Sequence, residues 1–178
     1  MEEYLDKARA LGFSKAVLLR ELSIECKPEL RAYCNTGQCL NHSQNWVCPP
    51  ACGTLDECRE KAQEFHDGIL LQSVTELDPP VDLEIYKRLS REHNFRFRKF
   101  IETVKPEFSK ILPLSTGGCA FCDECSFPEP CVKPDVKMES LSAFGIDVGK
   151  LCESAGLPYS FSPDIVYYTA LMLFFTQK

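Results

Sequence analysis

Apolar and polar positions along this chain follow two rhythms, one near 3.6 residues and one of two, and they alternate from segment to segment. Glu2 to Leu11 reads as a short amphipathic helix closed by Gly12, a natural C-cap. Lys15 to Leu19 reads as a short strand. Thr54, with Glu57 three residues on, forms a capping box for a helix to about His66, with Gly68 as its stop. Ile69 to Val74 reads as the second strand. Asp78-Pro79-Pro80 opens a long helix from about Val81 to Val104, which Pro106 breaks. Phe97, Phe100, Ile101 and Val104 share one face of that helix and point to the core, leaving Arg91, Arg96, Arg98 and Lys99 on a solvated side with Glu92 and Glu102. Lys110 to Leu114 predicts a third strand running into Gly117-Gly118-Cys119. Ser140 caps a helix to Ala155 with Gly156 as stop, and Gly145 lets that helix pack closely. The tail from Ile165 to Phe175, IVYYTALMLFF, is too short to span a bilayer and suits a strand buried on both faces.

Strands alternating with helices predict an α/β sandwich, a small mixed sheet covered by helices. At 178 residues the chain fits one α/β domain, 1–178, carrying two cysteine-rich loops at about 26–58 and 117–134. These loops are expected at strand ends.

The chemistry lies in the loops. Cys119, Cys122, Cys125 and Cys131 fall within thirteen residues, in GGCAFCDECSFPEPC. Three thiols at steps of three, then a fourth near proline, follow the pattern that wraps a [4Fe–4S] cubane, where each thiol meets a different iron. One zinc ion usually takes two separated C-x2-C knuckles, a looser arrangement than this, and zinc stays the alternative metal.

Six more cysteines come early: Cys26, Cys34, Cys39, Cys48, Cys52 and Cys58. The run YCNTGQCLNHSQNWVCPPACG is rich in turn residues, and Pro49-Pro50 blocks a helix after Cys48. Its spacing matches no zinc finger. Cys34, Cys39 and Cys48 are the firm ligands, with Cys52 the candidate fourth and Cys58 its competitor. If neither binds, one iron is open to water or substrate. Clustered cysteines without a basic, apolar leader at the N-terminus indicate a cytoplasmic metal protein rather than disulfides. Cys152 reads as a buried thiol.

The formal charge of −6 argues against nucleic acid and anionic membranes as partners. Two cubanes, each on four thiolates, would take it to roughly −10. No serine–histidine–acid set, phosphate loop or paired catalytic carboxylate stands out.

Taken together, YCNTGQCLNHSQNWVCPPACGTLDEC and GGCAFCDECSFPEPCVKPDVKMESLSAFGIDVGKLCESAG resemble the family of predicted metal-binding proteins called domain-of-unknown-function family 2284. The resemblance covers essentially the whole chain, and the second motif is the more specific. It implies metal binding and the cytoplasm of an anaerobe; it implies no reaction. Family members often carry tyrosine-glycine before the tryptophan, where this chain has His42-Ser43-Gln44-Asn45.

The expected protein is an iron–sulfur electron-transfer protein with two [4Fe–4S] clusters on Cys34, Cys39, Cys48, Cys52 and on Cys119, Cys122, Cys125, Cys131. Its partner is a ferredoxin-like protein or an oxidoreductase. Two alternatives stand beside it: an enzyme or reductive activator with one open iron, and a zinc-stabilised binding module.

Overall fold

A computed structural model describes residues 1–39, 41–78, 82–119 and 121–176. Five strands form one mixed sheet: β1 (Lys15–Leu19), β2 (Asp67–Glu76), β3 (Phe108–Ser115), β4 (Glu139–Ser140) and β5 (Ile165–Thr176). Their order is β1-β2-β5-β3-β4, with every pair antiparallel except the short β3–β4 pair. Five helices accompany them: α1 (Glu2–Ala10), α2 (Pro28–Ala32), α3 (Leu55–Gln63), α4 (Leu83–Val104) and α5 (Val148–Ser154). This is the α/β sandwich that the alternating pattern predicts.

The C-terminal strand β5 is the centre of the sheet, which explains its apolar run. Ala170, Met172 and Phe174 face the layer of α1 and α4, where they meet Leu5, Phe97, Phe100 and Val104. Leu171 and Leu173 face the opposite layer of α3 and α5, among Ala62, Phe65, Leu151 and Cys152. Period-two alternation divides one strand between two cores. No helix among the described residues is long and apolar enough to cross a membrane.

Several elements depart from the sequence reading. The capping box at Thr54 and Glu57 is present, but α3 stops at Gln63 and Gly68 lies inside β2. A Cβ at Gly68 would stand 3.0 Å from Leu171 and 3.2 Å from Leu173, so the glycine makes room for side chains of β5 instead of ending a helix. The helix placed from Ser140 begins only at Val148, where Asp147 accepts the Lys150 N–H at 3.1 Å. Before it, Ser140 accepts the Ala143 N–H, and Gly145 turns the chain at φ +64°. Leu141, Ala143 and Phe144 are buried all the same, which is why the segment reads as helical from its pattern. Gly145 serves a turn packed on Lys27, whose N–H it accepts at 2.8 Å, and is not part of a helix.

The short helix α2 was not expected; Pro28 occupies its first turn. Asp82 caps α4 by accepting the Ile85 N–H, and the expected start at Pro79, Pro80 and Val81 lies outside the described residues. On α4 the apolar face is buried as predicted. Arg98 is the exception on the polar side. Its side chain is only 20% exposed and donates to the Phe121 carbonyl at 3.3 Å, so it belongs to the downstream cysteine loop.

Candidate metal centre

Strand β3 delivers the chain into Gly117, at φ +80°, and from there into the downstream loop. Cys119, Cys122, Cys125 and Cys131 all line one recess, with Phe121, Val132, Lys133 and Lys137 in its wall. The backbone N–H groups of Phe121 and Met138 donate to the Cys119 sulfur, although burial is the larger effect and raises its pKa. Those amides, and not only the glycines before them, favour a thiolate here. Lys133 sits 5.1 Å over the Phe121 ring, and Arg98 stands 3.8 Å from Asp123. Lys133 and Lys137 thus place two cations in the wall of a thiol-lined recess.

The upstream cysteines divide into two sets. Cys34, in a tight turn at Tyr33–Asn35, and Cys48 are buried, and Cys39 is half-buried. Burial raises the Cys34 and Cys48 thiols, Cys48 to about 12, and each also feels the charge of Cys39. These three are electrostatic neighbours. Cys52 and Cys58 instead share Arg31, whose guanidinium donates to Cys58 at 3.3 Å and to Cys52 at 3.5 Å. The same fork donates to the Ala143 carbonyl at 2.9 Å and to the Gly53 carbonyl. A hydrogen bond from Cys58, helped by Arg31, draws the Cys52 thiol downward against burial, and Cys58 is pushed up in return. Cys26 bridges to Ile146 and Cys152 packs against Gln72 and Thr169; burial raises both thiols. None of the eleven cysteines is in a disulfide. His42 is half-buried, and its Nδ1 is sealed from solvent with no partner.

The two loops touch. A Cβ on Gly118 would come within 2.8 Å of Asn45 and 2.9 Å of Asn41, so the downstream turn passes tightly over the upstream loop. Trp46 packs edge-on against Phe127 at 5.2 Å. Trp46 and Val47 help to line the downstream recess, and the next residue is Cys48 of the upstream group. Distant parts of the sequence thus build one bipartite site.

Two residues of this site escape sequence reasoning. Lys137, in the wall of the downstream recess, pairs at 3.0 Å with Glu139, which is 3% exposed and whose charge is felt at Cys48 and Cys52. Charged residues on either side of Met138 carry no pattern that announces burial. Among the described residues, no three His, Cys, Asp or Glu side chains converge on one metal position.

An α/β sheet that presents two docked, thiol-rich loops is the build of a metal-binding protein. The chain belongs to the family described as predicted metal-binding protein (DUF2284), whose model matches residues 17–174. No curated protein and no solved structure matches it.

Proposed function

We propose that this is a cytoplasmic iron–sulfur protein that carries two [4Fe–4S] clusters and exchanges electrons with a redox partner. The observation that supports this most is the downstream recess, which Cys119, Cys122, Cys125 and Cys131 all line. A zinc ion would hold its thiolates at about 2.3 Å, hence about 3.8 Å from one another. Four thiols around one shared recess suit a cubane, whose four iron corners can each take a different cysteine. Cys34, Cys39 and Cys48, with Cys52 as the fourth, would hold the second cluster.

When bound, a cluster supplies reversible one-electron transfer. The surrounding residues set its conditions. Phe121, which is buried, limits water on the downstream side, and Lys133, Lys137 and Arg98 would place positive charge beside an anionic centre, favouring its reduced form. Asn41, Asn45 and Trp46 of the upstream loop meet the downstream loop at Gly118 and Phe127, so the residues that would hold the two clusters are neighbours. A ferredoxin-like protein or an oxidoreductase is the partner, docking on the downstream side where Val132 is exposed.

A second reading, an enzyme or activator with one iron open in the upstream centre, is favoured by the engagement of Cys52 and Cys58 with Arg31. Protein purified without oxygen and analysed for iron, sulfide and zinc tests the proposal. About eight irons and eight sulfides per chain are expected. Stoichiometric zinc without sulfide would replace it with a structural zinc module.

A further inference from the structure

Arg31 is a half-buried cation that forms no ion pair with a carboxylate among the described residues. Its guanidinium donates to four groups instead. Nη1 reaches the Cys58 sulfur at 3.3 Å and the Ala143 carbonyl at 2.9 Å. Nη2 reaches the Cys52 sulfur at 3.5 Å and the Gly53 carbonyl. The two carbonyls are neutral, and a cation drawn out of water calls for an anion beside it. A neutral thiol is a weak acceptor, so a fork aimed at two sulfurs fits best where one of them is a thiolate.

Cys52 is the sulfur placed to carry that charge. Its N–H donates to the Cys48 carbonyl at 3.1 Å, so it stands on the same turn as another of the proposed cluster ligands. Cys58 lies one element further on, within α3, fully buried, with its sulfur 3.7 Å from the Cys52 carbonyl to which it donates. A thiolate bound to a metal still accepts hydrogen bonds, so the contact with Arg31 is compatible with ligation by Cys52.

We propose that Arg31 is a positioning residue of the upstream cluster: it holds the Cys52 sulfur as the fourth ligand, keeps Cys58 outside the coordination sphere as a hydrogen-bonded thiol, and raises the reduction potential of that cluster. The assignment rests on the two-cluster reading. Arg31 acts through the sulfur. An N–H donor and a positive charge on a ligating thiolate withdraw electron density from the iron, which makes the reduced form easier to reach.

Protein prepared without oxygen is analysed for iron and sulfide and then titrated potentiometrically, with the reduced clusters read by electron paramagnetic resonance. The wild type is expected to hold about eight irons, and Cys58→Ala to hold the same. Cys52→Ala is expected to lose one iron per chain and to show a [3Fe–4S] signal after mild oxidation. Arg31→Gln keeps amide donors but removes the charge, and should lower one of the two midpoint potentials while the other stays. Arg31→Lys, which loses the fork but keeps the charge, should hold that midpoint nearer to the wild type. A purely structural role would lower the melting temperature of both Arg31 variants and move neither midpoint. Unmoved midpoints in Arg31→Gln overturn the assignment and leave the two-cluster reading in place. Iron lost from Cys58→Ala and kept in Cys52→Ala does the same, and those two variants decide the ligand even where Arg31→Gln does not fold. Zinc without sulfide in the wild type overturns both.

Discussion

Trp46 donates its indole N–H to the carbonyl of Glu129 across 2.8 Å, joining the upstream cysteine loop to the downstream one. The ring of Phe127 meets the same indole edge-on, so one side chain provides both a directional and an apolar contact between the loops. Trp46→Phe, which removes only the N–H, is expected to cost about 1 kcal/mol, and Trp46→Ala about 2 kcal/mol. If the loops hold the iron–sulfur clusters proposed above, bleaching of their visible absorption in air should be severalfold faster in the alanine variant. Equal bleaching rates in wild type and Trp46→Ala would show that the contact does not protect the site.

Gly145 and Gly156 both adopt positive φ, at +64° and +67°, in different surroundings. A Cβ at Gly145 would stand 2.3 Å from the Lys27 carbonyl, while one at Gly156 would meet nothing within 4 Å. Gly156→Ala should therefore cost only the backbone penalty of about 1 kcal/mol, and Gly145→Ala about 3 kcal/mol. Urea denaturation of the two variants side by side measures the difference, and equal midpoints would refute the packing argument.

His93 is fully buried, with Nδ1 against Ser73 at 2.9 Å and its ring edge-on to Phe13. Burial first, then the charge of Arg96, lowers its pKa to about 3. The unfolded chain binds a proton here near pH 6.5 and the folded chain does not, so stability falls with pH between those values. The loss is about 1.4 kcal/mol per pH unit, or about 2 kcal/mol from about pH 6.5 to about pH 5. His93→Gln, which keeps a partner for Ser73, should flatten this part of the stability profile. A profile as steep as that of the wild type would place the effect elsewhere.

Arg31 joins α2 to the Cys52–Gly53 turn, to Cys58 on α3 and to the Ala143 turn. Arg31→Met leaves two carbonyls and two thiols without their donor and is expected to cost about 3 kcal/mol. Arg31→Lys should recover little, because a point charge cannot reproduce the planar fork. Thermal melting of both variants decides this; near-complete rescue by lysine would mean that charge alone matters.

Local signals in the sequence determined much of the fold. The strand at Lys15–Leu19, the capping box at Thr54 and Glu57, the buried face of α4 and the two-faced tail strand each follow from periodicity or capping within a few residues. The bunching of Cys119, Cys122, Cys125 and Cys131 likewise makes their meeting a matter of one loop's turns, since consecutive thiols lie only three to six residues apart. Tertiary structure decided what local signals cannot express. Gly68 sits in a strand because side chains of β5 need its space, and the segment before α5 turns because Gly145 packs on Lys27. Arg31 meets Cys52 and Cys58 only when α2, α3 and the intervening turn are assembled. Glu139 is buried only because β4 joins the sheet beside β3 and turns alternate side chains to opposite faces. Spacing in sequence fixes which groups can meet locally; the partners of a buried charge or a thiol pair come from strand register and helix packing, which depend on the whole chain.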